Sequence, residues 1–343
     1  MPHLFFLLLL PFHLIKCDLL TIPLIKNPYN MYIVSPCIGS NNSICDQFHL
    51  DLTKETIVAY GNSNYKPQKS STSQQISQTD KSNTYTDNFS FKHNPSLTFQ
   101  NITIEHRINS YKNLNGYFGL GYNPNNPHSL LNTLFTSINS PKIFYINTRQ
   151  LEIGIGEYPN EINAIKNKGN VIYRTCHMIK DSNSHYACNA NSAYFKSVSK
   201  NEYIHYEINN SIKFCPTKNA IFTTDSFANT IYKNYLIEQI KEGSCEEVHS
   251  ASTRFNYVWC KHTYDYKNDE RLTDITFVLG KFSFRLFRHE LFTLGTDNKL
   301  YFLIVNNPEG NGWFFGYTFF NKFLTVFDIE TDTVGFIPFD KEY

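Results

Sequence analysis

Two segments of the chain lead an apolar strand pattern into a short run of hydroxyl and acidic residues. The first runs from Phe48 to Glu55 (F-H-L-D-L-T-K-E) and the second from Ala220 to Asp225 (A-I-F-T-T-D). Each looks like a strand that delivers a reactive side chain into a tight turn, where carboxyl groups would permit general acid–base chemistry. In the second segment the strand delivers Thr223, whose hydroxyl does not ionise near neutral pH and offers no base of useful pKa.

Other chemistries find little support in the residue pattern. The twelve histidines have no metal-ligand spacing, and no C-x-x-C motif or nearby histidine pair accompanies the cysteines. We therefore expect no metal and no cofactor. His262 and His289 are interpreted as surface residues or as residues whose ring nitrogens have hydrogen-bond partners within the protein. A serine or cysteine nucleophile would need a base brought from elsewhere in the fold.

The elements that must position the two segments are mostly strands. Period-two alternation with frequent aromatic residues predicts strands at residues 48–52, 96–104, 142–147, 203–208 and 282–287. Helical patterns cover Leu130–Thr136 and Ala228–Ile240. Residues Gln68–Thr84, rich in Ser, Gln, Thr and Asn, are predicted to form an exposed loop. Trp259 and Trp313 are interpreted as core and sheet filling, so the architecture is expected to be mainly β with few helices.

Size and charge limit the classes of partner. With 343 residues, of which 41% are hydrophobic, the chain can form one large lobe or two fused lobes with their own cores. The 31 basic and 30 acidic residues give a net charge of +1. Neither a nucleic acid nor an anionic membrane is therefore an expected partner.

The N-terminus reads as a targeting segment. Leu4–Ile15 is an apolar run too short to span a bilayer as a helix, and Lys16 and Cys17 follow it. We interpret residues 1–17 as a signal peptide that is cleaved after Cys17, with a buried core segment as the alternative. The mature protein is then predicted to be secreted and free of the membrane.

Cysteine usage is typical of an oxidising compartment, because the seven cysteines left after leader removal lie in close sequence pairs. The favoured bridges are Cys37–Cys45 and Cys176–Cys188. A Cys245–Cys260 bridge would leave Cys215 free or intermolecular, and pairing of Cys215 with either of these two stays open. In a secreted chain, N-x-S/T sequons also predict surface glycans at Asn41, Asn88, Asn101 and Asn209.

Several stretches together resemble the pepsin-type aspartic peptidases (peptidase family A1). Trp313–Phe336 resembles W-I-L-G-D-x-F-L-R-x-Y-Y-T-V-F-D-x-x-x-x-x-V-G-F without a gap. Shorter matches run in the same order as in that family, at residues 65–72 (F-D-P-S-K-S-S-T), 116–122 (G-I-L-G-L-G-Y), 150–156 (G-E-L-T-F-G-G) and 272–277 (L-P-D-I-T-F). The resemblance implies a bilobal pepsin-like acid protease fold, with two β lobes, residues 18–160 and 161–343, around a central cleft, and a monomer.

The resemblance also implies that each lobe contributes one D-T-G turn to a shared pair of carboxyl groups. Such a pair shares one proton because two like charges at short range cannot both ionise; aspartic proteases are the standard example of this effect. Matching the motif onto the two segments predicts Thr53 and Thr223 at the positions of the acids. Glu55 and Asp225 then occupy the positions of the turn glycines. Both acids are predicted to be lost, and the two threonines to keep only the hydroxyl contacts of the turn.

Displaced acids are the alternative. Asp51 and Asp225 each lie two residues from a matched position, and two residues of strand span roughly 6 to 7 Å. Asp51 is therefore expected to lie too far back, and Asp225 too far forward, to meet across a cleft.

Three further departures agree with a loss of activity. The family's lid, a glycine-containing hairpin, should lie between Thr72 and Asp87, but residues 73–86 hold no glycine and are too few, so the lid is predicted to be missing. Only residues 18–31 separate the leader from the first strand, too few for a basic propeptide. The aspartate that follows glycine in the family's last motif is Tyr317 here.

The sequence thus predicts a secreted pseudopeptidase whose cleft binds peptide or protein without hydrolysis. One alternative is an active aspartic endopeptidase that uses displaced acids. Another is a structural or storage protein without a specific ligand.

Overall fold

The computed structural model describes residues 19–27, 31–40, 45–109, 114–162, 173–180, 186–250, 255–308, 310 and 312–339. The strands up to the middle of the chain are β1 Leu20–Pro23, β2 Ile25–Lys26, β3 Tyr32–Val34, β4 Pro36–Ile38, β5 Phe48–Asp51, β6 Ile57–Tyr60, β7 Gln74–Gln78, β8 Ser82–Phe91, β9 Asn94–Arg107, β10 Gly116–Gly119, β11 Ile143–Asn147 and β12 Glu152–Ile155. The later strands are β13 Arg174–Lys180, β14 Tyr186–Lys196, β15 Tyr203–Phe214, β16 Ile221–Thr223, β17 Cys245–Ser250, β18 Phe255–Lys261, β19 Ile275–Leu279, β20 Phe282–Leu286, β21 Phe292–Leu294, β22 Lys299–Phe302, β23 Ile304–Asn306, β24 Trp313–Phe315, β25 Phe323–Asp328 and β26 Thr333–Pro338. The α-helices in these ranges are α1 Leu130–Ser137, α2 Asp225–Tyr235, α3 Ile237–Lys241 and α4 Tyr317–Phe320, and Pro67–Lys69 and Arg288–Glu290 form 3₁₀ turns.

These strands form three sheets in the described part of the chain, which confirms the mainly β architecture. A nine-stranded sheet contains only strands of the first half, in the order β2-β3-β5-β10-β6-β9-β8-β4 with β7 paired to β8. A thirteen-stranded sheet joins both halves, because β1, β11 and β12 pair onward to β25 and β26. A four-stranded sheet, β17-β18-β22-β21, completes the second half. The lobe boundary near residue 160 stays a prediction, since residues 163–172 lie outside the described ranges.

Both predicted helices form, and each begins at a side-chain cap. The hydroxyl of Ser129 accepts a hydrogen bond from the backbone N–H of Asn132 at the start of α1. That of Thr224 accepts one from the N–H of Phe227 at the start of α2. The second helical prediction, Ala228–Ile240, began too late and is divided, because α2 ends at Tyr235 and a separate helix follows.

Aromatic side chains fill the core. Trp313 is 1% exposed, and its ring centroid lies 4.8 Å from that of Phe227 on α2, as expected of a core residue. Trp259 is half-buried on the four-stranded sheet, where the ammonium of Lys299 lies 3.9 Å from its ring centroid.

Three disulfide bridges form among the described residues; two of them confirm the favoured pairing, and the third, Cys245–Cys260, decides the pairing that the sequence left open. They are Cys37–Cys45, Cys176–Cys188 and Cys245–Cys260, and Cys215 is a buried free thiol. The proposed leader, residues 1–17, and the sequon residue Asn41 lie outside the described residues. Asn101 and Asn209 are exposed and Asn88 is half-buried, and their glycosylation stays a prediction. Within the described ranges, no helix is both long and apolar enough to cross a membrane.

The predicted loop at Gln68–Thr84 is wrong for its second half, as is the predicted absence of a lid hairpin. Strands β7 and β8 pair from Gln74↔Thr86 to Gln78↔Asn83 and form an exposed hairpin. Its turn needs no glycine, because the N–H of Thr79 donates to the carbonyl of Ser82 at 2.8 Å and the Thr79 hydroxyl accepts from the Ser82 N–H at 3.0 Å.

Candidate functional site

The first turn of interest follows β5 in the nine-stranded sheet. Strand β5 runs parallel to β10, with Asp51 opposite Gly119 and Leu50 opposite Phe118. The chain then turns through residues 52–56 and returns as β6, antiparallel to β10, with Ile57 opposite Phe118. The strands before and after the turn, β5 and β6, therefore both pair with β10.

The second half repeats this arrangement with other strands. Strand β15 runs parallel to β24, with Phe214 opposite Phe315. The chain turns through residues 215–220 and returns as β16, antiparallel to β24, with Ile221 opposite Phe315. In both halves the two partners of the central phenylalanine, Leu50 and Ile57 or Phe214 and Ile221, lie seven positions apart in the sequence.

This repeat sets the register between the lobes and corrects the sequence-based one. Thr53 and Thr223 were predicted to be equivalent, but Thr223 ends β16, the strand after the turn, whereas Thr53 lies within the turn. The predicted equivalence is therefore wrong, because the strand pairing shifts the second segment by six residues. The matched positions are Asp51 with Cys215, Thr53 with Thr217, Lys54 with Lys218, and Ala59 with Thr223.

A glycine beneath each turn keeps the two backbones in close contact. A β-carbon added to Gly119 would overlap the carbonyl oxygens of Lys54 and Thr56, and one added to Gly316 would overlap those of Lys218 and Ala220. Each turn therefore packs directly on backbone that has no side chain at this point, Gly119 at the end of β10 and Gly316 just after β24. Neither glycine has a left-handed φ, so close approach alone requires them.

The two turns meet at one cavity of about 310 Å³, which we call the central cavity. Its lining comes from the first turn, the second turn and the ends of neighbouring strands. The residues are Asp51, Thr53, Lys54, Tyr60, Arg107, Tyr117, Cys215, Thr217, Lys218 and Phe314. The β7–β8 hairpin reaches its edge, since Ser82 pairs with Arg107 and the Ile108 N–H donates to the carbonyl of Lys81 at 3.3 Å.

The matched positions Asp51 and Cys215 differ in chemistry. One carboxylate oxygen of Asp51 accepts hydrogen bonds from both the backbone N–H and the hydroxyl of Thr53, each at 2.7 Å. The thiol of Cys215 lies 3.0 Å from the hydroxyl of Thr217. Burial first, and the negative charge of Asp51 second, raise the pKa of Cys215 to about 11. The site therefore holds one carboxylate and one protonated thiol.

The other predicted site residues lie away from the central cavity. Thr223 is fully buried, and its hydroxyl donates to the carbonyl of Val305 at 3.1 Å. Asp225 is exposed at the start of α2 and accepts a hydrogen bond from the side-chain amide of Asn306 at 2.8 Å.

The carboxylate of Glu55 accepts hydrogen bonds from the side-chain amides of Asn123 and Asn126, at 3.2 and 2.8 Å. Thr53 lines the cavity as expected. The prediction that Asp51 lies too far back is wrong, because its side chain lines the cavity as well.

Sequence reasoning missed Cys215, Thr217, Lys54 and Lys218. A signal for them was present, since D-L-T-K-E-T-I at residues 51–57 and C-P-T-K-N-A-I at residues 215–221 share threonine, lysine and isoleucine at the same spacing. Among the residues that the structure describes, no three His, Cys, Asp or Glu side chains group closely enough to hold a metal ion.

No protein-family model and no curated protein sequence matches the chain. Solved structures do match over nearly its whole length. The crystal structure of an aspartic proteinase from Irpex lacteus has a TM-score of 0.62 and 16% sequence identity, over 94% of this chain and 97% of that one.

Two globulins are similar to the same extent. Conglutin gamma, a basic 7S globulin from lupine seeds, has a TM-score of 0.67 and 14% identity, over 93% of this chain and 95% of that one. Basic 7S globulin from soybean has a TM-score of 0.64 and 13% identity, over 93% and 96%. The chain therefore has the fold of the pepsin-like aspartic proteinases, as its sequence motifs predicted.

Proposed function

We propose that this protein is a secreted pseudopeptidase: a pepsin-like protein whose central cleft binds peptide or protein without hydrolysing it. The observation that carries the proposal is the composition of the central cavity. Where the turns of the two lobes meet, Asp51 supplies one carboxylate and the matched position, Cys215, supplies a thiol.

Hydrolysis by this machinery needs two carboxyl groups that share a proton, so that one can act on water as a base while the other donates. A thiol whose pKa is about 11 stays protonated throughout the acidic and neutral range, and it is a poor base and a poor acid there. One oxygen of Asp51 already accepts two hydrogen bonds from Thr53. A lone carboxylate of this kind cannot replace the pair.

Displaced acids gain no support from the geometry. Asp225, the partner that such a mechanism would need, is exposed at the start of α2 and bonded to Asn306. Of the described residues that line the central cavity, Asp51 is the one acid.

Two further observations support the rest of the proposal. Three disulfide bridges are typical of an oxidising compartment such as the extracellular space, in agreement with the apolar leader in the sequence. The fold also occurs in two proteins described as globulins, from lupine seeds and from soybean.

Incubation of the purified mature protein with denatured globin between pH 2 and 7 tests the loss of hydrolysis. We expect no cleavage products by mass spectrometry, and none that an aspartic-peptidase transition-state mimic suppresses. Cleavage that is inhibited by such a mimic and disappears in Asp51→Asn would overturn the proposal.

Retention of peptides from a random library tests the binding half. We expect binding in the micromolar range that tryptophan or tyrosine substitution of the cavity residue Thr217 blocks. Absence of any binding at high micromolar concentration would favour a structural or storage role instead.

A further inference from the structure

A second cavity, of about 390 Å³, is lined largely by the four-stranded sheet and shares no lining residue with the central cavity. We call it the aromatic pocket. Phe255 and Tyr257 of β18 line it, together with Leu294, Asp297 and Tyr301 of the hairpin that β21 and β22 form. Its volume lies in the range of about 300 to 1,000 Å³ that is typical of small-ligand sites. The aromatic pocket is therefore large enough to enclose one long side chain of a bound molecule.

Three aromatic rings of the aromatic pocket form a contiguous surface. Phe255 and Tyr257 lie two residues apart on β18, so their side chains point to the same face of the sheet. Their ring centroids are 5.5 Å apart, and the centroid of Tyr257 lies 5.9 Å from that of Tyr301 on β22. All three side chains are half-buried. Because the face of an aromatic ring carries negative potential, such a surface attracts cations.

Asp297 brings a negative charge to these rings. Of the described residues that line the aromatic pocket, it is the one with a charged side chain. One of its carboxylate oxygens accepts a hydrogen bond from the hydroxyl of Tyr301 at 2.7 Å. That hydrogen bond holds the pKa of Asp297 below its ordinary value, so the group is ionised at neutral pH. A cation at the Tyr301 ring therefore has a carboxylate near it.

Gly295 gives the carboxylate and the ring the space that they share. A β-carbon added to Gly295 would lie 2.6 Å from the ring of Tyr301 and 2.7 Å from Oδ1 of Asp297. Any side chain at this position would displace one of the two groups. The hairpin turn thus keeps the carboxylate beside the aromatic surface.

Three neighbouring lysines have their ammonium groups over other aromatic rings. The ammonium-to-centroid distances are 3.9 Å for Lys299 and Trp259, 4.8 Å for Lys26 and Tyr317, and 4.9 Å for Lys218 and Phe222. None of these lysines lines the aromatic pocket, although Tyr317 lines both the aromatic pocket and the neighbouring cavity that contains Lys26. Within the described ranges, no lysine or arginine lies over Phe255, Tyr257 or Tyr301. These rings are therefore open to a cation from another molecule.

The aromatic pocket adjoins the central cavity through the second turn. Thr217 and Lys218 line the central cavity, and the next two residues, Asn219 and Ala220, line the aromatic pocket. Consecutive residues lie about 3.8 Å apart, and an extended octapeptide spans roughly 26 to 29 Å. One peptide is therefore long enough to reach both cavities.

We propose that the aromatic pocket binds the cationic side chain of a lysine or arginine in a peptide. Asp297 is its charged partner, and Tyr257 and Tyr301 are its aromatic contacts. This inference rests on the proposed peptide-binding function and names the side chain that the bound peptide must carry. An acidic side chain would be repelled by Asp297, and an apolar one would gain nothing from its charge.

Binding of four octapeptides tests the proposal by fluorescence anisotropy. The peptides share an alanine- and serine-rich sequence, an uncharged fluorophore at the N-terminus and an amide at the C-terminus. They differ only in the central residue, which is lysine, arginine, norleucine or glutamate. Norleucine keeps the apolar stem of lysine without its charge, so the comparison isolates the contribution of the cation.

We expect the lysine or the arginine peptide to bind about tenfold more tightly than the norleucine peptide, because the charge adds an ion pair and a cation–π contact. The glutamate peptide should bind most weakly. Asp297→Asn should reduce the preference for the cation to less than about threefold, and Tyr257→Leu should weaken binding of the cationic peptide by about threefold. Glu270→Gln, which removes an exposed acid outside the pocket lining, is the matched control and should change nothing.

Four outcomes would overturn the inference. Equal binding of the lysine, arginine and norleucine peptides would leave peptide binding standing and remove cation recognition. A preference for the cation that survives Asp297→Asn would place its site elsewhere. Competition by choline as effective as that of the unlabelled lysine peptide would indicate a site for small organic cations. Absence of binding by all four peptides to protein that melts normally would overturn the peptide-binding function as well.

Discussion

The turn of the first lobe and that of the second share their backbone and differ in their chemistry. In both, the turn packs on a glycine and a lysine occupies the same matched position, Lys54 or Lys218. In both, the strand after the turn runs antiparallel to the central strand, β10 or β24. Yet the first holds a carboxylate that accepts two hydrogen bonds, and the second a buried thiol. Packing on the glycine therefore fixes the backbone of the turn. The chemistry depends on one side chain, Asp51 or Cys215, which the packing does not determine.

Substitution of alanine for Gly119 or for Gly316 tests whether the two turns share one packing constraint. We expect each to destabilise the protein by at least about 3 kcal/mol, since the added methyl group meets backbone carbonyls that cannot move aside. Urea unfolding at neutral pH measures the loss.

Gly243→Ala is the control, because its β-carbon would meet no atom within 4 Å and only its left-handed φ of 69° is strained. We expect that change to cost about 1 kcal/mol. A large loss at only one of Gly119 and Gly316 would contradict the structural equivalence of the turns.

Cys215→Asp would remove the chemical difference between the turns and create two facing carboxylates. We expect a loss of about 3 kcal/mol at pH 7, because like charges in a buried site cannot both ionise without cost. One carboxyl would then have a folded-state pKa above its unfolded value near 3.9. The penalty is thus absent below about pH 4 and grows as the pH rises through the higher folded pKa.

Denaturant unfolding of Cys215→Asp from pH 4 to pH 8 checks this dependence, with Cys215→Ser as the uncharged control. A penalty that does not change with pH would mean that the two side chains do not face each other.

Thr53 and Thr217 occupy matched positions in the two turns, but they should contribute unequally to the free energy of unfolding. Thr53→Val removes the hydroxyl that donates to Asp51, and leaves a buried carboxylate oxygen with one partner fewer. We expect a loss of about 1.5 kcal/mol. Thr217→Val removes a hydroxyl whose side-chain hydrogen bond, within the described residues, is to the weakly polar sulfur of Cys215, and should cost less than about 0.5 kcal/mol. Equal thermal melting shifts for the two variants would contradict this asymmetry.

The sequence was sufficient for the fold but not for the register of the turns. The segment Trp313–Phe336 could be matched without a gap, because buried aromatic and glycine positions in β24, α4, β25 and β26 constrain the sequence strongly. The turns could not, because neither of them contains the D-T-G sequence that would have marked it. Asp51 is placed by its pairing with Gly119, and Cys215 by the hydrogen bond from its N–H to the carbonyl of Phe315. Both partners lie far along the chain, and local sequence patterns do not reveal them.

The lid hairpin was missed for a related reason. The expected glycines are absent, and the hydroxyl of Thr79 closes the turn in their place. Its strand β7 is exposed along its whole length, so no apolar alternation marks it as a strand.

The smallest expected effect is that of the charge of Asp51, in the first turn, on the pKa of Cys215 in the second. The raised pKa of Cys215, about 11, means that its thiol should react slowly with iodoacetamide at pH 8 and increasingly as the pH approaches 11. Because the folded state favours the protonated thiol, this group contributes stability that is complete below the unfolded pKa near 9. That contribution is lost between about pH 9 and pH 11.

Asp51→Asn removes the second cause of the shift and leaves the first, burial, in place. The pH profile of alkylation, followed by mass spectrometry on Cys215, should therefore move to lower pH but stay above the ordinary thiol value of 9.0. Lys233→Met, which removes an exposed charge on α2 outside the cavity lining, should leave the profile unchanged. An unchanged profile in Asp51→Asn, at a melting temperature near that of the native protein, would mean that the carboxylate and the thiol do not act on each other. The two turns would then share a backbone but no common site, and the peptide-binding proposal would lose the cavity on which it depends.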